Sequence, residues 1–373
     1  TTLYHLIFIV KIKNIMKVCI IGIGLTSLAL AKTLVNRGIY VDILANKISN
    51  KMDKQRTIGI SKANVEFFNK NILKIDKLLW KIKKIEIYSQ NKNNKEILNF
   101  DGKNDQLFSV IKNYELFELL NSSLKKNSFF NLKKIDKIKK SSFQKKYNLI
   151  FNCDANSFLS KKYFYKKINK DYNSIAHTVI IDHDRLLNNN IATQVFTERG
   201  PLAFLPISQN KTSIVYSVRG NKNINLINLI KKFNLKYSNI KANKISSFKL
   251  KSSNLRSYHF QNILAFGDEL HKIHPLAGQG FNMTIRDIKE LLKLVRSKID
   301  LGLDLDSSIC INFEKKMKHK NYLFSKGIDF VYETFNFESK LNNSLLRNSI
   351  SLIGKNKYMN KFFIKSANEG ILI

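Results

Sequence analysis

Residues 266–287, which read FGDELHKIHPLAGQGFNMTIRD, hold glycine and proline at a density that the rest of the chain lacks, because all 373 residues include only 14 Gly and 3 Pro. An apolar run at 264–266 precedes the loop, and the apolar spacing of a helix extends from 281 to 296. Glycines such as Gly278 and Gly280 leave backbone N–H groups open to a ligand, and the helix behind them presents the positive end of its dipole. The sequence therefore predicts a strand, a ligand-binding loop and a helix.

An acidic residue follows the predicted strand directly. Gly267 is succeeded by Asp268, and carboxylates at this position of nucleotide sites accept hydrogen bonds from sugar-like hydroxyls. The alternative is a solvated carboxylate on an ordinary turn between a strand and a helix. We favour a ligand-binding role, because one loop contains every part that such a site requires.

A second glycine turn lies near the start of the chain. The apolar run KVCII at 17–21 is followed by Gly22 and Gly24, and then by a helical pattern from 28 to 37. In a dinucleotide-binding unit the first glycine permits a tight turn and the second lets a pyrophosphate approach the backbone. Ser27 occupies the position of the third glycine and is small enough for the helix to pack on the strand.

The same motif predicts an acidic residue at the end of the second strand, about 20 residues further on, to bind ribose hydroxyls. The second strand is expected at 40–45, and its end reads Ala45-Asn46. The acid is therefore missing at the expected place. Asp42 lies within the strand, too early for its side chain to extend from the tip.

Basic residues dominate the charge, since 64 Lys and Arg against 28 Asp and Glu give a formal net charge of +36. Such an excess can indicate nucleic acid or an acidic membrane as a partner. Here Lys, Asn and Ile are abundant along the whole chain, and no zinc-finger, RNA-binding or basic heptad pattern accompanies the charge. We expect no nucleic-acid partner, and we keep a diffuse attraction to acidic lipid as a secondary expectation.

Cysteine usage and hydropathy predict a cytoplasmic protein that can contact the inner face of the membrane peripherally. Cys19, Cys153 and Cys310 are widely spaced and show no metal or disulfide pattern. The chain has no apolar run near the roughly 18 residues that a spanning helix needs. It begins with Thr, and Met16 immediately precedes a strand, so residues 1–15 are expected to be a non-native extension.

Together the two glycine elements resemble the para-hydroxybenzoate hydroxylase fold of flavin monooxygenases. More narrowly, the chain resembles the ubiquinone-biosynthesis hydroxylases, which act on polyprenylated phenols. The resemblance is carried by HPLAGQGFN at 274–282 with Arg286-Asp287, and by GPLAFLP at 200–206, which is similar to the substrate-domain strand of that family. The segment RTIGIS at 56–61 resembles the arginine segment after the second strand.

The resemblance implies FAD as the cofactor, NAD(P)H as the expected reductant, and no metal. It implies that Arg56 lies near the ribityl and phosphate region, and that the loop residues Pro275, Gly278 and Gly280 lie beside the flavin ring. The expected cofactor-binding residues are Gly22, Gly24, Leu25, Thr26, Ser27, Arg56, Asp154, Gly267, Asp268, Pro275, Gly278, Gln279, Gly280, Phe281 and Asn282. No side chain is assigned to proton transfer, since paired histidines such as His271 and His274 are more often structural.

The implied activity is hydroxylation of a polyprenylated phenol in ubiquinone biosynthesis. In this chemistry dioxygen and reduced flavin give a flavin hydroperoxide, whose distal oxygen is transferred to the ring. The implied partners are the phenol and dioxygen, with peripheral association to an acidic membrane or to a ubiquinone-synthesis complex. Two alternatives stay open, namely a hydroxylase of a soluble aromatic compound and a degenerate, noncatalytic flavoprotein or scaffold of a quinone-synthesis complex.

Three departures from the family pattern favour the degenerate alternative. The Asp-Gly pair of the middle motif appears here as Asp154-Ala155, within CDANS at 153–157. Tyr114 stands where the family usually has an arginine, and Ala45 stands at the strand end described above. The intact loop at 266–287 favours a functional flavin site.

The predicted fold class is α/β, with an α+β substrate part and C-terminal helices. A Rossmann-like FAD-binding domain is interleaved with a β-sheet substrate domain, which includes a hairpin of 84–88 with 97–100. The expected ranges are 16–75, 101–157 and 257–306 for the FAD-binding domain, 76–100 and 158–256 for the substrate domain, and 307–373 for the C-terminal helical region.

Overall fold

The structure is a computed structural model that describes residues 16–46, 52–90, 96–102, 105–135, 144–220, 224–274 and 279–341. Residues 1–15, expected to be an extension, lie outside the described residues. The end of the predicted helical region, 342–373, and the loop residues Pro275 and Gly278 lie outside them as well.

Within the described residues, the first sheet contains six strands. They are β1 (Lys17–Ile21), β2 (Tyr40–Ala45), β8 (Phe130–Lys134), β9 (Leu149–Asn152), β16 (His259–Phe260) and β17 (Ile263–Ala265). The order is β16-β17-β9-β1-β2-β8, and every pair is parallel except β16 with β17. Strands β1 and β9 are buried almost throughout, which explains their continuous apolar sequences.

Helices cover this sheet and extend beyond it. They are α1 (Leu25–Val35), α2 (Lys62–Asn71), α3 (Asn113–Lys125), α4 (Phe158–Tyr163), α5 (Leu226–Phe233), α6 (Gln279–Asp300) and α7 (Ser307–Leu341). Helix α1 packs on α3 and α6, and α6 packs on α7. The apolar faces of α1, α3 and α6 join the strands in one core.

The second sheet is mainly antiparallel. Its strands are β5 (Lys84–Ser89), β6 (Glu96–Asp101), β10 (Lys167–Asp182), β11 (Ile191–Thr197), β12 (Gly200–Pro206), β13 (Lys211–Arg219), β14 (Lys241–Ala242), β15 (Ser246–Leu255) and β18 (His271–Lys272). They follow the order β18-β15-β10-β13-β12-β11-β5-β6, with β14 on β10. One face packs on α5 through Val179, Phe204 and Tyr216. The opposite face lines a cavity, and we call it the site face.

A third sheet joins the other two. It consists of β3 (Thr57–Ser61), β4 (Trp80–Ile82) and β7 (Phe108–Lys112) in the order β3-β7-β4. The Thr57 and Ser213 hydroxyls are 2.8 Å apart, which connects β3 to the second sheet. The sequence reading did not anticipate this sheet, because its strands pair over long distances in the chain.

The α/β class with an α+β part agrees with the sequence reading, and so does the hairpin of β5 with β6. The apolar residues 178–181 alone predict a short strand, and the observed strand is much longer. Strand β10 begins at Lys167, and its polar first half pairs with β15, with an irregularity between Asp171 and Ser174. The polar composition of 167–173 hid this half of the strand. The domain boundaries themselves stay a prediction.

The two glycine elements touch each other. Gly267 has a φ of +63°, and a Cβ placed on it would lie 2.5 Å from Cγ2 of Thr26 in the first turn of α1. The neighbouring Phe266 N–H donates to the carbonyl of Asn152 at 2.8 Å, which aligns β17 with β9. The start of α1 and the turn after β17 therefore form one surface.

We expect Gly267→Ala to destabilise the protein more than Gly302→Ala. Both glycines have a left-handed φ, of +63° and +67°, but a Cβ on Gly302 would meet nothing within 4 Å. Each alanine costs about 1–2 kcal/mol of backbone strain, and Gly267→Ala adds a clash of about 1–3 kcal/mol with Thr26. Urea unfolding midpoints measure the difference, and equal losses in the two variants would refute the close contact.

Helix α7 covers a buried histidine that precedes the loop. His274 is fully buried, and its ring centroid lies 4.8 Å from that of Tyr172 and 4.1 Å from that of Tyr332. Burial, and to a smaller extent the charge of Lys170, lower the pKa of His274 to about 4 against the opposing effect of Glu333. The folded protein therefore holds this imidazole neutral.

This burial predicts a loss of stability in acid. An unfolded His274 gains a proton near its ordinary pKa of 6.5, whereas the folded form gains one only near 4. The free energy of unfolding therefore falls as the pH drops from about 6.5 towards 4, by on the order of 3 kcal/mol from this group. Urea titrations of His274→Gln should show a shallower fall than the wild type. His319 is exposed, and His319→Gln is the control. An identical fall of the free energy of unfolding in all three proteins would contradict a lowered pKa of His274.

Candidate functional site

A cavity of about 650 Å³ lies where the three sheets meet the first turns of α1 and α6. The two helix starts form one side. The site face of the second sheet forms the other, and β3 and β7 close one end. Residues from 23 to 284 contribute to its lining, so the site exists only in the folded chain.

The start of α1 provides N–H groups that have no partner within the helix. Gly24 precedes the helix in an extended conformation, no side chain caps it, and the first turn contains no acidic residue. A Cβ on Gly24 would meet nothing within 4 Å, which leaves room for a ligand against the backbone. The predicted residues Leu25, Thr26 and Ser27 all line the cavity. This geometry suits an anionic group, because the N–H groups and the helix dipole are both directed at it.

Gly22 shapes the turn before that helix. Its φ is +95°, and a Cβ there would lie 2.9 Å from Cβ of Asp154. The carboxylate of Asp154 accepts a hydrogen bond from the Asn156 N–H at 2.8 Å. Among the described residues, Asp154 stands beside the cavity wall, whereas its neighbour Cys153 is part of it. A role for Asp154 in cofactor binding stays a prediction.

The start of α6 faces the same cavity. Gln279, Gly280, Phe281 and Asn282 line it, and the first turn has no acidic residue. A Cβ on Gly280 would meet nothing within 4 Å. Among the described residues, Oε1 of Gln279 is buried and lacks a hydrogen-bond partner. Two helix N-termini therefore converge on one cavity, as the sequence predicted for each separately.

The Asn282 side chain has a structural role that the sequence reading did not assign. Its Oδ1 accepts from the Ser61 N–H at 3.0 Å and from Asn64 Nδ2 at 2.8 Å, and its Nδ2 donates to the Gly59 carbonyl at 2.9 Å. This amide fixes α6 against β3 and α2. A contribution of Asn282 to cofactor binding would come from its backbone.

Two adjacent carboxylates in the turn after β17 have different environments. Asp268 is exposed and lines the cavity, and its role in binding a cofactor stays a prediction. Glu269 is buried, and it accepts hydrogen bonds from Lys167 Nζ at 2.8 Å and Ser160 Oγ at 2.6 Å. Burial raises the pKa of Glu269, although both hydrogen bonds oppose the shift. Glu269 therefore anchors the turn while Asp268 stays available to a ligand.

Arg56 and His271 also line the cavity. The Arg56 guanidinium lies over the ring of Phe248, 4.8 Å from its centroid. His271 Nε2 donates a hydrogen bond to Asp287, whose other oxygen accepts from Asn321 Nδ2 at 2.9 Å. The placement of His271 agrees with a structural role.

The structure shows the surroundings of two departures from the family pattern, which are the acid missing at the end of β2 and Tyr114. Asp42 is buried in the first sheet and accepts from the Tyr147 hydroxyl at 2.9 Å and pairs with Lys17 at 3.2 Å. Burial alone would raise the pKa of Asp42, but these contacts and Lys133 outweigh it and lower the pKa. Asp42 therefore does not replace the acid missing after Ala45. Tyr114 donates to Glu115 at 3.0 Å, while its neighbour Asn113 lines the cavity.

The site face of the second sheet forms a floor of mostly small side chains. Thr178 pairs with Val215, Val215 with Ala203, and Ala203 with Gln194, so the four side chains form one cross-strand row. All four line the cavity. The small residues leave space for a flat ring, and Gln194 brings an amide to the edge of that space. The sequence does not indicate which face of these strands meets the helices.

One end of the cavity is apolar. Ile85, Ala192, Leu205 and Phe108 line it and pack in one cluster with Trp80, Ile82, Val110 and Ile207. Backbone N–H groups thus lie at the helix starts, and the part of the lining between the second and third sheets is hydrocarbon. Such a cavity can hold a large anionic cofactor along one wall and an apolar molecule with an aromatic ring against the floor.

The fold is that of FAD-binding monooxygenases of the para-hydroxybenzoate hydroxylase type. It is similar to p-nitrophenol 4-monooxygenase PnpA from Pseudomonas putida, with a TM-score of 0.78 and 12% identity over 96% of this chain and 99% of that one. It is also similar to HpxO from Klebsiella pneumoniae, solved with FAD and uric acid, with a TM-score of 0.72 and 11% identity over 96% and 97% of the two chains.

Sequence comparison confirms the narrower resemblance to FAD-dependent hydroxylases of ubiquinone biosynthesis. Residues 227–299 match the FAD binding domain family model. Ubiquinone biosynthesis monooxygenase COQ6 of Schizosaccharomyces pombe is 22% identical over 54% of this chain and 52% of its own length. The 3-demethoxyubiquinol 3-hydroxylase of Escherichia coli is 28% identical over 38% and 39%. The chain therefore aligns with about half the length of these relatives or less.

The residues present fit FAD. Gly24 and Gly280 leave open space where a Cβ would stand, and the buried Gln279 Oε1 lacks a partner among the described residues. Both helix starts can hold negative charge, and Asp268 can accept hydrogen bonds from hydroxyls.

None of the described helices combines the length and the apolar character needed to cross a bilayer.

We expect Asp268→Ala to purify with much less FAD than the wild type, because the variant loses the carboxylate that is expected to accept hydrogen bonds from the ribityl hydroxyls. Loss of a hydrogen bond to a charged group costs about 1.5–3 kcal/mol, which corresponds to roughly a 10- to 150-fold weaker affinity. The ratio of flavin to protein absorbance measures occupancy. Asp105→Ala is the control, because Asp105 is an exposed acid outside the cavity lining. Wild-type occupancy in Asp268→Ala would refute the assignment.

Proposed function

We propose that this chain is a FAD-dependent monooxygenase that hydroxylates a polyprenylated phenol in ubiquinone biosynthesis. The observation that carries the proposal is the division of one cavity into two helix N-termini, a small-residue floor and an apolar end. The relative from Schizosaccharomyces pombe is named a ubiquinone biosynthesis monooxygenase, and the one from Escherichia coli a 3-demethoxyubiquinol 3-hydroxylase. Both names support a role in ubiquinone biosynthesis.

Each part of the polar wall has a proposed task in holding FAD. The N–H groups at Leu25, Thr26 and Ser27 bind the pyrophosphate, and Asp268 accepts from the ribityl chain. The start of α6, at Gln279 and Gly280, would hold the flavin ring and favour negative charge on it. Arg56, held over Phe248, adds a positive charge near the phosphates. Bound FAD supplies the activation of dioxygen for transfer to the aromatic ring.

The substrate ring lies on the floor of the second sheet. Val215 and Ala203 provide a flat apolar surface, and the Gln194 amide hydrogen-bonds to a ring oxygen. The prenyl tail extends to the apolar end at Ile85 and Leu205. Burial of each CH₂ there contributes about 0.8 kcal/mol, so a long tail binds more tightly than a short one. Packing of the tail also excludes water from the ring.

The remaining roles follow from the same proposal. Gly22 and Asp154 shape the turn that would hold the pyrophosphate, and NAD(P)H is the reductant. The enzyme works in the cytoplasm, with peripheral contact to the inner face of the membrane or to a ubiquinone-synthesis complex. The net charge of +36 supports contact with acidic lipid.

Complementation tests the activity. The chain is expressed in bacterial strains that each lack one ubiquinone hydroxylase, and the quinones and accumulated phenols are extracted and identified. Restored ubiquinone in one strain is the expected result, and the intermediate of that strain identifies the substrate. A protein that purifies without flavin and rescues no strain would contradict the proposal and favour the noncatalytic alternative.

We expect Leu205→Asp to impair turnover of long-tailed phenols selectively. A carboxylate at the apolar end disfavours the tail, so kcat/KM for a long-tailed phenol falls by about tenfold or more. The same variant assayed with a phenol that lacks the tail is the control. Because Leu205 lies two residues along β12 from Ala203 of the floor, kcat/KM for the tailless phenol falls as well, but by a smaller factor. NAD(P)H-dependent product formation measures both.

The outcome separates two candidate substrates. Equal losses for tailed and tailless phenols would contradict a tail site at Leu205. A wild-type enzyme that prefers the tailless phenol would favour a hydroxylase of soluble aromatic compounds.

A further inference from the structure

Two loops at the edge of the second sheet expose leucines. Leu187 is 79% exposed and Leu235 is 54% exposed. Asp184 N–H donates to the Ser238 carbonyl at 3.2 Å, and Lys236 Nζ donates to Asn189 Oδ1 at 3.3 Å. The segments 184–189 and 235–239 therefore run side by side, and both leucines belong to one patch.

The charge around this patch is positive. The segments 80–83, 184–190 and 231–239 contain six basic residues, Lys81, Lys83, Arg185, Lys231, Lys232 and Lys236, and one acidic residue, Asp184. The Asp184 carboxylate accepts a hydrogen bond from Asn239 at 2.9 Å. We name Leu187 and Leu235 with these basic residues the leucine face.

The leucine face adjoins the apolar end of the cavity. Asn189, two residues after Leu187, accepts at its carbonyl from Trp80 Nε1 at 2.6 Å. Trp80 packs in the cluster that contains the cavity residues Ile85 and Leu205. A continuous set of contacts therefore leads from the lipophilic part of the cavity to the exposed leucines.

We infer that the leucine face docks on the surface of a bilayer rich in anionic phospholipid. Exposed leucines enter the boundary between headgroups and acyl chains, and lysines around them bind the acidic headgroups. This inference deepens the proposed function, on which the reason for docking rests. A prenylated phenol dissolves in the bilayer, and the docked face brings the apolar end of the cavity close to it.

Another pair of exposed leucines lacks these features. Leu301 is 71% exposed and Leu303 is 48% exposed, but their neighbours include the acids Asp300 and Asp304. They follow the last residue of α6, a helix of 22 residues. Such a helix is about 33 Å long, and its first residues line the cavity. Leu301 and Leu303 thus provide a matched control, since they are equally apolar and far from the site.

Vesicle sedimentation tests the docking. The flavin-loaded protein is mixed with vesicles of phosphatidylcholine alone or of phosphatidylcholine with phosphatidylglycerol, and the bound fraction is measured at low and high salt. We expect binding to the acidic vesicles that weakens with salt. The double variant Leu187→Asp with Leu235→Asp should bind at least about tenfold more weakly, and Leu301→Asp with Leu303→Asp should bind like the wild type.

Three results would overturn the inference. They are no binding of the wild type to acidic vesicles, equal binding to neutral and acidic vesicles, and equal effects of the two double variants. The first result would favour another protein as the occupant of this face. Flavin content and the turnover of a tailless phenol without vesicles test the proposed function separately, because neither depends on a membrane.

Discussion

The contact between Gly267 and Thr26 is the constraint on which the site depends. It joins a turn near the start of the chain to one more than two hundred residues later, and it leaves no space for a side chain on Gly267. The helix that contains Thr26, α1, and the helix that follows this turn in sequence, α6, begin at the same cavity. One helix start alone binds an anion weakly, whereas two starts and the carboxylate of Asp268 define a shaped site for a cofactor with phosphate, hydroxyl and ring parts.

Three buried carboxylates of the fold are used for structure. Glu269 holds the turn to Lys167 and Ser160, Asp42 joins neighbouring strands, and Asp287 connects His271 with α7. Each is buried and paired, as a buried charge must be. Asp268 differs because it is exposed to the cavity. The structure therefore separates acids that maintain the architecture from the acid that is available to a ligand, although Asp268 and Glu269 are adjacent in sequence.

Much of the cofactor side could be predicted from the sequence, because its signals are local. Glycine spacing located both helix starts, and the residue after a strand located Asp268. The substrate side is built from long-range pairing. Gln194, Ala203 and Val215 meet only through strand registers, and the polar sequence at 167–173 hid half of β10. The apolar end likewise combines β4, β5, β7, β11 and β12, which no sequence window contains.

The most direct test of the account is the relative affinity of the apoprotein for FAD and riboflavin, measured by calorimetric titration. The start of α1 is assigned to the pyrophosphate, which riboflavin lacks. We therefore expect one FAD site per chain and at least about tenfold weaker binding of riboflavin. Equal affinities would contradict the central claim that both helix starts hold one dinucleotide.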